Sequence, residues 1–407
     1  MRVLIAGGGI AGLVLAQGLR RSGIDCEVFE REPRDRRRSG YRLTLDGDGG
    51  NALEACLAPD LYELYLRASN RTPRRVVAVV IDSRCNELTT APHIGPPNEG
   101  ERPHTAVDRR TFSQLLMAGL DDVLHHDRAV VDFDAGDDGV QAKLSDGSTV
   151  DGDVLVGADG VGSAVRHRLL PDVQIIPAPV GALGLFARSP VNDEILAELP
   201  EVLFDGFVIA RDEHGVMLTL GLCVPREPAD RAAAQVAPYA QLDATVPYVQ
   251  LSGAVAPGTP LPAPSEWTEE TPRQLHEAMK AGVASWHPAL RGLVERIELE
   301  TLFLHPFRRL DPTPAWPSSR VTLVGDSINA MLPTLGKGAN MAMRNAAVLR
   351  DQLLAAHRGE LPLVDAIAAY EEDMRGATYP IMELAADHSR FGGGGLRGPS
   401  GRDEVRA

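Results

Sequence analysis

Three glycines near the start of the chain have the spacing of a nucleotide-binding turn. Gly7, Gly9 and Gly12 form a G-x-G-x-x-G pattern, and an acidic residue, Glu30, follows them. The first glycine permits a tight turn, the second lets the backbone approach a pyrophosphate, and the third lets a helix pack closely on a strand. An acid at the position of Glu30 can accept hydrogen bonds from a ribose. The pattern predicts a dinucleotide site without distinguishing NAD from FAD.

Two later segments carry acids that could join the same site. DGDVLVGADGVGSAVRHRL predicts a strand, a turn that contains Asp159 and Gly160, and a helix that Ser163 could cap. RVTLVGDSINAMLPTLGKGAN predicts another buried strand with Asp326 at its C-terminal end. Because open α/β sheets bind their ligands at these strand ends, both aspartates are candidate ligand contacts.

A loop with two glycines follows Asp326. It contains Pro333, Gly336 and Gly338, and a helix is predicted from about Ala339. The N terminus of such a helix offers backbone donors to an electron-rich group. The N1–C2 carbonyl edge of a reduced flavin is a group of that kind, so this loop favours a flavin over a nicotinamide.

The elements that would position these residues can be predicted from the same stretches. VLIA is a short apolar run that is typical of a strand buried on both faces. LVLAQGLRRSG has apolar residues at helical spacing and ends at Gly23, and CEVFE predicts a second strand. Together they predict a β-α-β unit around the first glycines.

A second sheet is expected in the middle of the chain. Residues 181–224 contain alternating apolar runs, and RRVVAVVIDS also predicts a strand. The candidates for a pocket that holds a planar substrate are Phe186, Phe204, Phe207, Met217 and Leu220. Apolar residues at this spacing are more often plain core, so both interpretations stay open.

Composition narrows the class of protein. The 407 residues suffice for a large core and two domains, and a net charge of −15 argues against nucleic acid or an anionic membrane as a partner. The apolar runs are too short to span a membrane, and a strand from Arg2 or Val3 leaves no room for a signal peptide. Scattered cysteines and histidines predict neither disulfides nor a metal site. A cytoplasmic protein is expected, and the predominance of arginine over lysine suggests a bacterial one.

GGGIAG with Glu30, GADGVGSAVR and VGDSINAMLPTLGKGAN together resemble the three motifs of the single-component FAD-dependent aromatic hydroxylases. These flavoprotein monooxygenases have the para-hydroxybenzoate hydroxylase fold, and salicylate-hydroxylase-like and tetracycline-modifying members have about this length. The resemblance extends from Met1 to about Tyr379 and includes RPHTAVDRRTFSQLL and ASWHPALRGLVERI.

The resemblance implies a set of residues that hold FAD without a covalent bond. Arg42 and Pro333 are in addition the candidate catalytic residues, at the reacting face of the flavin. The implied cofactor-binding residues are Gly7, Gly9, Ile10, Ala11, Gly12, Glu30, Arg31, Arg42, Arg109, Asp159, Asp326, Pro333, Gly336, Gly338, Ala339 and Asn340.

Three residues depart from the family's usual pattern. Asn329 stands where histidine is usual, Lys337 replaces a frequent glutamine, and Asn345 replaces a frequent aspartate. The glycines, Asp326 and Pro333 remain, so flavin binding is expected. The local proton relay around the flavin loop is what these departures put in question.

The resemblance also implies an α/β fold class and a domain layout. A Rossmann-like FAD-binding domain of residues 1–75, 101–175 and 276–380 would end in C-terminal helices. It would carry an inserted β-sheet substrate domain of residues 76–100 and 176–275. The glycine-rich residues 391–407 predict a disordered tail.

The implied function is NAD(P)H-dependent monooxygenation. NAD(P)H would bind transiently and reduce FAD, O₂ would add at the flavin C4a carbon, and the hydroperoxide would deliver oxygen to an aromatic substrate. A polycyclic substrate from secondary metabolism, or a drug, is favoured over a simple phenolic acid, and the protein is expected to be a monomer or homodimer. The alternatives are an FAD-dependent epoxidase, Baeyer–Villiger enzyme or dehydrogenase of the same fold, and a non-catalytic flavin-binding accessory protein.

Overall fold

The computed structural model describes residues 1–34, 41–92, 104–177, 184–262 and 264–386. The predicted tail at 391–407 lies outside the described residues. None of the helices in the described ranges is both long and apolar enough to cross a membrane.

The strands of the described residues belong to two large sheets and three small ones. In chain order they are β1 (Arg2–Ala6), β2 (Asp25–Phe29), β3 (Arg42–Thr44), β4 (Val77–Asp82), β5 (Glu87–Pro92), β6 (Ala106–Asp108), β7 (Leu124–His125), β8 (Val130–Ala135), β9 (Val140–Leu144), β10 (Thr149–Gly152), β11 (Val154–Gly157), β12 (Ile176–Pro177), β13 (Leu185–Pro190), β14 (Phe207–Arg211), β15 (Met217–Cys223), β16 (Tyr248–Gly253), β17 (Phe303–Leu304), β18 (Arg308–Arg309) and β19 (Val321–Leu323).

The helices lie between these strands and at the end of the described chain. They are α1 (Ile10–Arg21), α2 (Gly47–Cys56), α3 (Pro59–Ala68), α4 (Arg109–Met117), α5 (Ala164–Leu169), α6 (Asp193–Glu198), α7 (Ala229–Val236), α8 (Thr271–Gly282), α9 (Pro288–Glu295), α10 (Asp326–Asn329), α11 (Gly338–His357) and α12 (Leu363–Ala385).

The first large sheet is parallel and has the strand order β19-β11-β1-β2-β7. Central strand β1 pairs with β2 on one side and with β11 on the other. Val3, Leu4 and Ile5 are fully buried because helices cover the sheet, which explains the uninterrupted apolar run in the sequence. The expected β-α-β unit and α/β fold class are confirmed.

The second large sheet has the order β17-β13-β16-β15-β14-β4-β5, with β14 and β4 parallel and the other neighbours antiparallel. A hairpin forms between β14 and β15. Asp212 accepts hydrogen bonds from His214 N and Val216 N through Oδ1, and Gly215 has a φ of 83°. The carboxylate and this glycine together stabilise the turn.

Each large sheet has a hydrophobic core of its own. One core packs the parallel sheet against α1, α2, α4, α11 and α12, and the other packs the seven-stranded sheet against α8 and α9. The domain boundaries stay a prediction, but two segments pack on a different sheet from the one that the predicted boundaries give them. Residues 276–304 pack on the seven-stranded sheet, where β17 is an edge strand, and α7 packs on the first core. Apolar spacing predicts that a helix is buried, not which sheet buries it.

Candidate functional site

A cavity of about 1080 Å³ lies between the strand ends of the parallel sheet and one face of the seven-stranded sheet. This volume is at the upper end for small-molecule sites. Most of the predicted cofactor-binding residues line it: Gly7, Gly9, Ile10, Ala11, Glu30, Arg31, Arg42, Arg109, Asp159, Asp326, Pro333, Gly336, Gly338 and Ala339. Gly12 and Asn340 do not line the cavity.

The glycine turn after β1 is shaped by close backbone contacts. A Cβ on Gly7 would lie 2.4 Å from Ala158 O, and φ at Gly7 is 108°. A Cβ on Gly12 would lie 2.0 Å from Gly7 O, so Gly12 serves helix packing and not ligand contact. Among the residues that the structure describes, no side chain caps α1, and its N-terminal N–H groups have no partner within the helix. This turn presents backbone donors to the cavity, as a pyrophosphate requires.

Glu30 lies directly after β2 and is buried. Its carboxylate accepts hydrogen bonds from Gly8 N at 2.8 Å and from Glu32 N at 2.9 Å, so it also fixes the glycine turn. Neighbouring Arg31 lines the cavity and forms an ion pair with Glu32 at 3.5 Å. Glu30 therefore joins the first and second strand ends at the cavity wall.

Glu30→Ala is expected to weaken FAD binding. The loss of one or two charge-assisted hydrogen bonds, at about 1.5–3 kcal/mol each, corresponds to an increase in Kd of at least tenfold. Titration of the apoprotein with FAD, followed by flavin fluorescence, measures the change. Glu213→Ala, at the exposed hairpin turn, is the matched control. An unchanged Kd for Glu30→Ala would contradict the assigned role.

Asp159 follows β11 and has one carboxylate oxygen free. Its Oδ2 accepts from Ala164 N at 2.8 Å, whereas its buried Oδ1 has no partner among the described residues. Burial raises the pKa of this carboxyl, and hydrogen bonds from Ser163 and nearby backbone oppose the rise. Ser163 caps α5 by accepting from Arg166 N, as the sequence predicts. An unpaired oxygen on the cavity wall is suited to a ligand hydroxyl.

Asp326 is the first residue of α10 and follows β19. Its side chain is accessible from the cavity although protein surrounds it. Desolvation raises the pKa of its carboxyl, and the positive charge of Arg109 partly opposes the rise. Within the described chain the carboxylate accepts no hydrogen bond. Asp326 is thus a second acid poised for a ligand.

The loop from Pro333 leads into the N terminus of α11. Gly336 adopts a left-handed conformation with a φ of 62°, and α11 begins at Gly338, one residue before its predicted start. No side chain of the described residues caps α11. Pro333, Gly338 and Ala339 line the cavity, so the donors of a twenty-residue helix are available there.

Asn340 connects segments and does not contact the cavity. Its Oδ1 accepts from Asp46 N at 3.0 Å, and its Nδ2 donates to Thr44 O at 3.0 Å and Gly336 O at 3.1 Å. Both amide hydrogens of Asn340 are used in these bonds, and its oxygen has a donor. The predicted cofactor contact therefore becomes a positioning role for the loop at Gly336.

The three departures from the family pattern lie in different environments. Asn345 is buried and donates to Thr378 Oγ1 at 2.9 Å between α11 and α12. Asn329 is buried, and neither side-chain polar atom has a partner among the described residues.

Lys337 forms ion pairs with the carboxylates of Asp46 and Asp48, each at 2.6 Å. Desolvation lowers the pKa of Lys337, but the two carboxylates outweigh it and raise the pKa.

Lys337→Met is expected to destabilise the protein by about 2–3 kcal/mol. Breaking a buried pair costs about 3–5 kcal/mol, and the partial exposure of Asp48 reduces this cost. Chemical denaturation at pH 7 measures the difference. Lys280→Met, which removes an exposed ion pair with Glu277, is the control and should change stability by less than about 0.5 kcal/mol. Equal stability of the two variants would be inconsistent with a structural ion pair at Lys337.

Two arginines lie where the sheets meet. Arg42 donates to Gly206 O at 2.8 Å and Thr44 Oγ1 at 3.0 Å, and its backbone N donates to Gln250 Oε1 at 2.8 Å. Desolvation lowers the pKa of its guanidinium. Arg109 donates to Tyr41 OH at 2.5 Å and lies over that ring. Both guanidinium groups are held in place on the cavity wall.

The seven-stranded sheet turns alternate residues toward the cavity. Phe207, Ile209 and Arg211 of β14 line it, as does Met217 of β15, whereas Leu220 belongs to the core behind the sheet. Phe186 also lines the cavity. The prediction for Phe204 is wrong, because it ends a 3-10 helix and packs against the second core. Three of the five candidate pocket residues thus face the cavity.

Sequence reasoning missed an aromatic cluster on the cavity wall. Tyr41 stacks on Phe186 at 5.5 Å and on Phe303 at 5.8 Å, and Phe307 meets Phe186 edge to face at 6.4 Å. His305 also lines the cavity, and burial together with Arg109 and Arg308 lowers its pKa. The available sequence signal was the alternation of aromatic residues in FLHPF, residues 303–307. A strand as short as β17 is hard to distinguish from a loop by sequence.

These residues fit a flavin dinucleotide. Two uncapped helix N termini, the free Oδ1 of Asp159 and the unpartnered carboxylate of Asp326 face one cavity. Backbone donors suit a pyrophosphate and the flavin carbonyl edge, and the carboxylates suit ribityl or ribose hydroxyls. Among the ranges that the structure describes, no group of three or more side chains could hold a metal ion.

Comparison with known families gives two matches. Residues 103–377 match the family described as FAD binding domain, and residues 5–35 match an NAD(P)-binding Rossmann-like domain. The first match covers more than half of the chain. The expected FAD-binding family is confirmed.

Relatives and solved structures agree with this family. A dual O-methyltransferase/FAD-dependent monooxygenase, CTB3, from Cercospora beticola is 32% identical over 92% of this chain and 44% of its own length. The 3-amino-4-hydroxybenzoate 2-monooxygenase PtmB3 of Streptomyces platensis is 28% identical over 91% of this chain and 83% of its own. This chain spans only 39–44% of the length of the dual-function fungal relatives.

A solved structure from Photorhabdus luminescens, assigned as an FAD-containing monooxygenase, has a TM-score of 0.77 to this chain. It is 26% identical and is matched over 96% of this chain and 98% of its own. The predicted fold is therefore confirmed along nearly the whole chain.

Proposed function

This chain belongs to the FAD-binding domain family, and we propose that it is an NAD(P)H-dependent flavoprotein monooxygenase. It inserts one oxygen atom of O₂ into an aromatic or polycyclic small molecule, while the other oxygen leaves as water and NAD(P)H is oxidised. The observation that carries the proposal is one cavity with a nucleotide-binding wall and an aromatic wall. The monooxygenase relatives support the same reaction class.

The nucleotide-binding wall would hold FAD along its length. The turn from Gly7 to Gly12 and Glu30 would bind the ADP half. Asp159 and Asp326 would accept hydrogen bonds from hydroxyl groups, and Arg109 would lie near the ribityl or phosphate portion. The loop from Pro333 would lie along the flavin ring. Each role follows from a donor, an acceptor or a charge that faces the cavity.

Bound FAD would supply the hydride acceptance from NAD(P)H and the activation of O₂. The chain's own residues position the reactants and control the electrostatics. Backbone N–H groups at the start of α11 stabilise negative charge near Pro333. The aromatic cluster around Tyr41 provides an apolar surface that excludes water. No acid–base side chain is needed for oxygen activation in this scheme.

The absorption spectrum of the purified protein is the first test. A yellow preparation with about one FAD per chain is expected. NADH and NADPH oxidation is then measured against a panel of aromatic compounds, with ¹⁸O₂ and mass spectrometry of the products. Incorporation of one labelled oxygen supports the proposal.

Other outcomes would favour the alternatives. A product without labelled oxygen would indicate a dehydrogenase, and fragmentation or NMR separates hydroxylation from epoxidation and oxygen insertion. A yellow protein that oxidises neither nicotinamide with any compound would indicate an accessory protein. A colourless preparation that takes up no FAD would overturn the proposal altogether.

The cellular setting completes the proposal. We expect a cytoplasmic bacterial protein that acts in secondary metabolism or on a drug, as a monomer or homodimer. The predominance of arginine over lysine is what supports a bacterial source, and the similar proteins include both bacterial and fungal monooxygenases. Light scattering after size exclusion measures the oligomeric state.

A further inference from the structure

The cavity face of the seven-stranded sheet is organised in rows across the strands. Arg211 of β14 pairs with Met217 of β15, and the next row toward the sheet interior aligns Ile209, Thr219 and Ser252. Gly221, further along β15, has no side chain, and Arg42 fills that place: a Cβ on Gly221 would lie 3.0 Å from Arg42 Cδ. The rows therefore form a strip with an arginine at each end.

The two ends of the strip differ in how their arginines are bound. Arg42 donates to Gly206 O and Thr44 Oγ1. Arg211 lines the cavity and is half-buried, and it forms no ion pair or hydrogen bond with any residue that the structure describes. Because a guanidinium away from bulk water favours an anionic partner, Arg211 is suited to bind one.

The length of the strip indicates the size of the molecule that lies on it. Gly221 and Met217 are four residues apart on β15, and strands rise about 3.3 Å per residue, so the two ends lie ~13 Å apart. Phe207, Ile209 and Met217 give the strip apolar surface along its length. Thr219 and Ser252 add two hydroxyl groups to its middle row. A single ring would cover only part of this length.

We propose that Arg211 binds an acidic oxygen of an elongated, fused-ring aromatic substrate whose other end lies beside Arg42. The acidic group is a carboxylate or an ionised enol or phenol, at a distance of roughly three fused rings from the end beside Arg42. This inference rests on the proposed function, because it assigns the substrate class of the same cavity. It makes Arg211 a specificity-determining residue.

Binding of matched probes to the FAD-loaded protein tests the inference. Anthracene-2-carboxylate and anthracene-2-carboxamide have the same rings and differ in charge, and salicylate is a short acid. Anisotropy of the anthracene fluorescence gives the Kd of the two tricyclic probes, and displacement of bound anthracene-2-carboxylate gives that of salicylate, without relying on turnover. We expect the carboxylate to bind at least about tenfold tighter than the amide, and salicylate to bind more weakly than the carboxylate.

Variants identify the residue responsible. Arg211→Gln should reduce the preference for the carboxylate to about threefold or less, and Arg211→Lys should keep part of it. Arg231→Gln is the control, since it removes the same charge from the exposed side of α7 and should keep the full preference. If Arg211→Gln does not fold, the role of Arg211 is still tested by Arg211→Lys. Its ratio of amide Kd to carboxylate Kd is compared with the wild-type ratio.

Three results would overturn the inference: equal binding of acid and amide by the wild type, an unchanged preference in Arg211→Gln, or failure of the tricyclic acid to bind. The FAD content of the same preparation separates this failure from that of the proposed function. A yellow, active protein without the charge preference refutes only the role of Arg211.

Discussion

Gly12→Ala is expected to abolish stable FAD binding and to destabilise the protein. The new Cβ would lie 2.0 Å from Gly7 O and 3.3 Å from Ala158 Cβ, so helix α1 must move away from the glycine turn. Such overpacking costs about 1–3 kcal/mol, and more where backbone atoms are in the way. The movement also displaces the donors at the start of α1. Thermal unfolding and the flavin absorbance of purified protein measure both effects.

Gly376→Ala provides the matched control for this change. Gly376 also lies inside a helix, α12, but apart from the adjoining backbone of that helix no atom of the described residues lies within 4 Å of the place where its Cβ would be. Alanine has the better helix propensity, so this variant should be stabilised by about 0.5–1 kcal/mol with normal FAD content. If Gly12→Ala behaved like Gly376→Ala, FAD binding and stability would not depend on the close-packed glycine turn.

Asp326→Ala is expected to yield folded protein that retains little FAD. The carboxylate accepts no hydrogen bond from the described residues, so its removal leaves no protein donor unpaired. Loss of one or two charge-assisted bonds to the ligand would raise Kd by about 10²-fold or more. FAD content after purification and titration of the apoprotein measure the loss.

The stability of the apoprotein distinguishes ligand binding from a structural role. Because desolvation raises the pKa of Asp326, its ionised form opposes folding at neutral pH and its protonated form does not. At pH 7 the apo form of Asp326→Ala should therefore be at least as stable as wild type, and this difference should vanish below about pH 3.9. Asp138→Ala, in an exposed turn, is the control. Normal FAD occupancy in Asp326→Ala would refute the assigned role.

Much of the nucleotide-binding wall could be predicted from the sequence. The turn at Gly7, the acid after the second strand and the loop before α11 depend on local backbone requirements, which fixed residue types at fixed spacing report directly. Asp159 and Asp326 could be assigned because strand ends of a parallel sheet meet at one edge. The confirmed family and fold depend on these same segments.

The substrate wall could be predicted only in part. Phe186, Phe207 and Met217 were identified, but Phe204 packs in the core behind the sheet. Alternation along a strand separates the residues on the two faces of the sheet, but it does not show which face lines the ligand cavity. Asn340 and Lys337 lie next to the flavin loop in the sequence, yet their side chains bond to the segment at residues 44–48.

The sequence by itself determined the β-α-β unit, the dinucleotide chemistry and the flavin family, since these depend on local turns, buried strands and helix N termini. The tertiary structure decided which distant side chains share a wall: the stacking of Tyr41 on Phe186 and Phe303, and Arg211 at the end of the strip that begins at Arg42. Such contacts depend on strand register and on the packing of one sheet against the other. Neither leaves a local pattern along the chain.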